Sequence, residues 1–484
     1  MTTSISSTGS GTISSTGIGS GLDVNSIISK LMSVEQAPLT QLQSKATTIQ
    51  TSISAYGAVQ SALSTFRDAA QALTNPSTWS ATTGTSSDPT AATVSTSSGA
   101  AAGNYAINVT NLAASQSTVS GTYASGAALV GAGTLHINLG TWTGTSFAQQ
   151  TDGTGAATPG VNIAATASDT LQTLADKINV STAGVTAAIV TDATGARLVL
   201  SSRTTGAANG FQVTTGDTAL AGLAYDPSSG TAGTTLTQPG ANANATINGL
   251  PVSSATNSLS NVLSGLTVNL LKPTTTPVQV TVAQDSGSIK ASINTLVTAY
   301  NSLASLLAAD TKYDAATTTA GPLQGDSTAV SLQRQLRNIL GSSSTASSAF
   351  STLSQAGLQV QTDGTIKVND ATLSNALANP TQLKALFAAT NATATGGATG
   401  FAQQFRSFAD SALGTDGLLS SRVAGLNKTL TRNGTDQDAL STRLAATEAR
   451  LRAQYTALDT KMASITTLST YITQQIANWN KSTN

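Results

Sequence analysis

The chain has 484 residues, no Cys, one His, and 22 basic against 22 acidic side chains, so its formal net charge is zero. Only 9% of residues are charged, against about 25% in a typical soluble domain; without a Lys/Arg-rich run there is no electrostatic footprint for nucleic acid or anionic membrane. The missing cysteines remove disulfides, zinc fingers, iron–sulfur clusters and thiol nucleophiles together, and suit a chain exported unfolded into an oxidising exterior.

At about 100 to 200 residues per domain, the length predicts three or four domains. Among the acids only Glu35 and Glu448 are Glu, and the rest are Asp, a residue of turns and caps. The start, MTTSISSTGS, has no cationic segment before Lys30, so no secretory signal peptide is visible. No apolar run approaches the ~18 residues that span a membrane.

In chain order, the first 20 residues are Ser/Thr/Gly-rich and end in Gly17, Gly19 and Gly21, a composition expected to stay flexible until docked. A short helix follows, capped by Asp23 or Asn25 and presenting Ile27, Ile28, Leu31 and Val34, before Pro38 interrupts. From Leu39 to Leu73, apolar residues including Leu42, Ile49, Ile53, Tyr56, Leu63 and Phe66 fall near a heptad alternation, ended by Asn75 and Pro76. The far end carries a longer seam, with Leu419, Leu426, Leu440, Leu444, Leu451, Leu458, Leu468, Ile472 and Ile476. As one helix, residues 418 to 480 would run roughly 90 Å, and Asn433 with Gly434 is the expected break. Two seams at opposite ends predict an antiparallel helical stalk with the rest of the chain inserted between them.

The middle alternates with period two. Tyr105, Ile107 and Val109 share one strand face, as do Leu135, Ile137 and Leu139. SDTLQTLADKIN reads as a capped helix; GVTAAIVTDATGARLVLSS reads as two strands around Asp192-Ala-Thr-Gly195, with the Phe211 strand expected to continue that sheet. Residues 226 to 240 are turn-rich and mark a boundary, strands resume to Gln284, and helical spacing returns from Ser286. The fold class is multidomain α+β, terminal helices forming a coiled-coil-like leg with β-rich head domains inserted. The expected divisions are a docking zone at 1–38 and 455–484, a leg at 39–78 and 287–454, an inner head at 79–119 and 240–286, and an outer α+β head at 120–239.

Markers of chemistry are sparse. His136 is the only imidazole and alternates with Leu135 and Ile137, which makes it a solvated strand residue. The Gly17, Gly19, Gly21 run has Leu22 at the third glycine position of the dinucleotide fingerprint and no strand feeding it. No Gly-Lys dipeptide and no G-x-S-x-G elbow occurs. Asp310 with Asp314, or Asp436 with Asp438, are carboxylate pairs of the kind glycosidases use, yet such pairs are expected by chance among so many turn-forming Asp. No catalytic residue, cofactor or metal ligand is assigned.

The segment GIGSGLDVNSIISKLMSVEQAPLTQLQSK resembles the amino-terminal signature of the bacterial flagellar filament cap family, also called the hook-associated protein 2 family. GNYAINVTNLAASQS, INGLPVSSATNSLSNVLSGLTVNL, GPLQGDSTAVSLQRQLRNIL and TALDTKMASITTLSTYITQQIANWNK resemble it in the same order, leaving out roughly residues 120 to 240. The resemblance implies a homo-oligomeric ring at the distal filament tip, helical legs reaching into the filament, and a head plate under which exported flagellin folds and is inserted. It also implies flagellar type III export without a cleaved signal, contact with the hook–filament junction protein, and an export chaperone at the carboxy-terminal helix. In that setting Leu42, Ile49, Ile53, Tyr56, Leu63, Leu440, Leu444, Leu451 and Leu458 form the leg seam, and Ile27, Leu31, Leu468, Ile472 and Ile476 dock against neighbouring subunits. Host mucin contact by the Thr/Gly/Ala surface of residues 120–239 is an accessory role known in some relatives. The rival readings are a secreted coiled-coil adhesin, which requires a parallel trimer, a hook–filament junction protein, and a secreted carbohydrate-active enzyme.

Overall fold

A computed structural model describes residues 23–97, 99–390 and 399–482. The glycine run at Gly17, Gly19 and Gly21, with the rest of the Ser/Thr/Gly-rich start, lies outside them. The chain divides into a helical unit, Met1–Asn75 with Lys290–Asn484, and a β-rich unit, Pro76–Ile289. The class is α+β, with helices from both chain ends and a β-rich insertion.

In the helical unit, Asp23 caps the helix Val24–Glu35 by accepting a hydrogen bond from the Ser26 amide at 3.0 Å. Pro38 falls in the first turn of the next helix, Ala37–Thr74, where its missing N–H costs nothing. The two meet at Gln36, and the second ends at Asn75 ahead of Pro76. Ser327–Leu340, Asp370–Leu377, Pro380–Ala388 and Phe401–Leu413 then build a bundle. At its centre Phe66 meets Tyr300 and Phe405 edge-on, with ring centroids 5.9 and 5.1 Å apart, a geometry worth about 1 kcal/mol per pair beyond area burial. The Tyr300 hydroxyl donates to the Gly364 carbonyl at 3.0 Å, and burial pushes its phenol up to about 12.

The last helix, Leu418–Ser482, runs for 65 residues without a break, which corrects the interruption expected at Asn433 and Gly434. Asn433 lies seven residues from both Leu426 and Leu440, on the packed stripe, and only 4% of it is exposed. Its Oδ1 accepts from the Gln437 amide at 2.6 Å, so the polar side chain is satisfied one turn on and the helix continues.

The β-rich unit has two hydrophobic cores. In the first, an antiparallel sheet orders Thr82–Ser86, Val278–Gln284, Gly103–Asn111, Ala243–Ile247 and Leu250–Ser254, beside a three-stranded sheet of Ser258–Leu263, Leu266–Leu270 and Ala92–Thr96. Ile107, Val109, Val268, Val280 and Val282 fill it. In the second, Gly133–Thr143 pairs with Gly210–Thr214, Ser146–Gln149 and Val161–Ala165, while a four-stranded sheet orders Thr234–Gln238, Ser117–Ser120, Gly195–Ser202 and Val185–Asp192. The helix Leu171–Val180 closes this core with Leu171, Leu174 and Ile178 against Leu135, Ile137, Leu198 and Phe211.

The hairpin at Asp192 and Gly195 forms with those two residues paired. Asp192 Oδ1 accepts from the Thr194 amide at 2.7 Å, and Gly195 takes φ +134°, where a Cβ would lie 2.3 Å from the Tyr123 carbonyl. The Phe211 strand, expected to extend that hairpin's sheet, instead pairs with Gly133–Thr143, Phe211 opposite Leu139. The buried Gln116 explains the change. Its side-chain amide donates to the Phe211 carbonyl at 2.8 Å and accepts from the Phe211 amide at 3.0 Å. One side chain thus supplies the rung a neighbouring strand would have made, and satisfies both buried backbone groups.

Gly434 sits in a helix interior with no atom within 4 Å of an added Cβ. Gly434→Ala is therefore expected to raise the stability of the helical unit by about 0.5–1 kcal/mol, read as an increased urea midpoint at unchanged slope.

Candidate interaction surface on the carboxy-terminal helix

The functional surface follows from how far the last helix is covered. Its first half pairs with Ala37–Thr74 in the opposite direction: Tyr56 lies beside Arg422, while Leu39 packs in one cluster with Leu440, Leu444 and Leu451. Val24, Ile28 and Met32 seal that cluster from the short first helix, with Tyr455 at its border. Arg452 donates to Asn25 Oδ1 at 3.4 Å, which places the start of the first helix beside the last helix near Tyr455.

Of the residues expected on the seam, Ile49, Tyr56, Leu63 and Leu444 are buried, and Leu42, Ile53, Leu440 and Leu451 are half-buried. Leu440, Leu444 and Leu451 are brought together in one cluster. Leu458 is 45% exposed and lies past the packed region, so it groups with the distal stripe and not with the seam. In the first helix the packed face is Val24, Ile28 and Met32, whereas Ile27 is half-buried and Leu31 is 44% exposed. In VNSIISKLM two stripes of helical spacing overlap, and only the identity of the opposing helix selects between them.

Beyond Tyr455, no described element covers the last helix. Leu458, Met462, Ile465, Leu468, Tyr471, Ile472, Ile476 and Trp479 are each between 38% and 73% exposed. That is an apolar stripe about 30 Å long, the kind of surface that marks an interaction site. Burying the exposed half of each Ile or Leu is worth about 1 kcal/mol. Among the described residues no helix is long and apolar enough to cross a membrane, and no group of three or more His, Cys, Asp or Glu is placed to hold a metal.

A polar cluster that the sequence did not reveal joins three segments at the other end of the seam. Asp326 caps Ser327–Leu340 through the Thr328 amide at 2.9 Å and takes both the Arg422 Nε, at 2.9 Å, and a terminal guanidinium nitrogen, at 2.8 Å. The buried Tyr56 hydroxyl faces the same carboxylate, and burial, then Asp326, holds its phenol above the ordinary value. Burial alone would raise the Asp326 carboxyl, but Tyr56, the Thr328 amide and Arg422 outweigh it and hold it below the usual carboxylate range. Tyr56 reads as a seam position and Asp326 as part of the GPLQGDSTAVSLQRQLRNIL block, and no local spacing joins residues 270 and 96 positions apart.

The carboxylate pairs weighed from sequence are not assembled as acid and base. Asp310 is buried near the end of Ser286–Thr311, while Asp314 accepts from the Ala316 amide in a turn. Asp436 and Asp438 stand two apart on one helix and so diverge. His136 is half-buried with Nδ1 2.6 Å from Asn162 Oδ1.

Comparison with known proteins fits this architecture. Family models described as flagellar hook-associated protein 2 N-terminus and C-terminus match residues 20–116 and 240–467. The flagellar hook-associated protein 2 of Escherichia coli (strain K12) is 33% identical over 96% of this chain and 98% of its own. The chain belongs to the flagellar hook-associated protein 2 family. A B-type member of that family from Pseudomonas aeruginosa is 30% identical, covering 96% and 97% of the two chains. The crystal structure of the flagellar cap protein FliD D1-D2-D3 domains from Escherichia coli aligns with a TM-score of 0.59 at 30% identity, over 77% of this chain and 99% of that one. A third model, flagellin hook IN motif, matches residues 146–204, inside the stretch for which the sequence blocks gave no resemblance.

Because the Asp326 carboxyl is depressed, its contribution is fully present above the ordinary carboxyl value of about 3.9 and is lost as pH falls through the lower folded value. Asp326→Asn, which keeps a capping side chain but loses the charge, is expected to cost about 1–2 kcal/mol at pH 7 after allowing for the partly exposed Arg422. The gap to wild type should close below about pH 4, measured by urea unfolding at pH 7 and pH 3.

Proposed function

We propose that this chain is the structural cap of a bacterial flagellar filament, a homo-oligomeric ring at the distal tip that promotes folding and insertion of exported flagellin and prevents its loss. The observation that carries the reading is the apolar stripe from Leu458 to Ile476, exposed among the described residues, on a helix whose first half packs against the amino-terminal helices, in a family whose solved relative is titled a flagellar cap protein. An exposed apolar stripe of this kind marks an interaction site.

In this reading the helical unit is the leg, and Leu468, Ile472 and Ile476 contact neighbouring subunits and flagellin. The two cores of the β-rich unit support an inner head at 79–119 with 240–286 and an outer head at 120–239. The same stripe serves an export chaperone before assembly, and delivery runs through the flagellar type III apparatus to an extracellular position next to filament and junction proteins. The adhesin alternative needs a parallel trimer, whereas the chain ends here pair antiparallel within one molecule.

Replacing Ile472 and Ile476 together by Asp puts two charges into the docking stripe. The fold is expected to survive, since both are exposed, while filaments become short and flagellin accumulates in the medium; normal filament length would overturn the assignment. Immunogold electron microscopy with antibody against residues 120–239 is expected to label only the distal tip, and label at the hook junction would reassign the chain within the same organelle.

A further inference from the structure

The chain has no cysteine and three methionines, so its redox chemistry rests on thioethers. Met1 lies outside the described residues. Met32 is 5% exposed and packs with Val24, Ile28 and Leu444. Met462 is 38% exposed and stands on the apolar stripe of the last helix, one turn from Leu458 on one side and from Ile465 on the other. An oxidant in the surrounding water finds no thiol to consume it, and among the described residues it meets one sulfur atom at the surface. Oxidation changes what this position offers. A thioether is apolar, polarisable and adapts to an irregular surface, whereas a sulfoxide is chiral and carries a strong acceptor oxygen. The hydroxyls nearest along the helix have no donor left for that oxygen. Thr460, Ser464 and Thr466 already donate to carbonyls one turn back at 2.9, 2.7 and 2.9 Å, Thr466 to the Met462 carbonyl itself. A sulfoxide covered by another chain is then buried without a hydroxyl donor from its own helix, which costs free energy.

We infer that Met462 is an oxidation site that sets the strength of the stripe's contact with a neighbouring copy of this chain: the thioether permits docking and the sulfoxide weakens it. The neighbouring copy rests on the cap reading above; the selectivity of oxidation does not. The oxidant is a peroxide. The Met462 sulfur lone pair attacks one peroxide oxygen, and the S–O bond forms as the O–O bond breaks. The hydroxide released takes the proton from the sulfur-bound oxygen and leaves as water, so sulfur gives up two electrons and the peroxide gains them. A docked neighbour shields the side chain, so the switch acts on free chains before assembly, and sulfoxide reduction resets it.

The test treats full-length protein with hydrogen peroxide and reads sulfoxide peptide by peptide by mass spectrometry. Met462 should oxidise at least about 10-fold faster than Met32, which local opening must first expose. Self-association, followed by mass photometry, should weaken about 10-fold after oxidation and recover on treatment with methionine sulfoxide reductases of both stereospecificities. Met462→Leu keeps the volume and should associate as unoxidised wild type does, before and after peroxide. Met1 and Met32 remain in that variant, so its insensitivity assigns the effect to Met462. Met462→Gln, polar without oxidation, should associate as weakly as oxidised wild type. Helicity by circular dichroism should be unchanged throughout. Equal oxidation of Met32 and Met462, unchanged association of the oxidised protein, or peroxide sensitivity persisting in Met462→Leu would overturn the inference. Failure of unoxidised wild type to self-associate, with Met462 still oxidised selectively, would sink the cap reading, and the switch only through it.

Discussion

Most of the stability of a helix in a protein comes from packing of its apolar face, and along the 65-residue last helix that packing, among the described residues, covers only the first half. The antiparallel pairing with Ala37–Thr74, sealed by Val24, Ile28 and Met32, uses Leu419, Leu426, Asn433, Leu440 and Leu444 and stops near Tyr455. Everything functional in the helical unit depends on that stopping point. Among the described residues the apolar side chains after Leu458 are surface.

The same helix is economical with polar contacts where it is uncovered. Thr460, Ser464, Thr466, Thr467, Thr470 and Thr473 each donate their hydroxyl to the carbonyl one turn back, at 2.7 to 2.9 Å. A partner that covers these six hydroxyls removes no unpaired donor from water. What remains to hold it is apolar area along the stripe, a force that needs no exact registry. A surface of this sort releases more readily than one built on fixed hydrogen bonds.

In the β-rich unit the decisive contacts are also side chains that replace backbone. Gln116 completes the Phe211 rung, and Asp169 gathers the Thr166 amide at 2.6 Å and the Lys177 ammonium at 2.5 Å to tie the helix Leu171–Val180 to its preceding turn. Together they hold the Asp169 carboxyl well below the usual range, Lys177 contributing most. With few charges in the unit, each one is committed to a defined local task.

Much of this was legible in the sequence because it is written in spacing. Heptad positions at both ends, period-two alternation through Ile107, Val109, Leu135 and Ile137, and the Asp192 to Gly195 turn all depend on neighbours a few residues away, and the α+β class with both ends returning to one helical unit follows from them. Tertiary structure alone decided the rest. It chose Val24, Ile28 and Met32 over Ile27 and Leu31, carried the last helix through Asn433 and Gly434, moved Phe211 to the other sheet, and joined Tyr56, Asp326 and Arg422. Those outcomes depend on which surface a residue meets across tens or hundreds of positions. Local periodicity reports a side chain's direction on its own element, but not what stands opposite it.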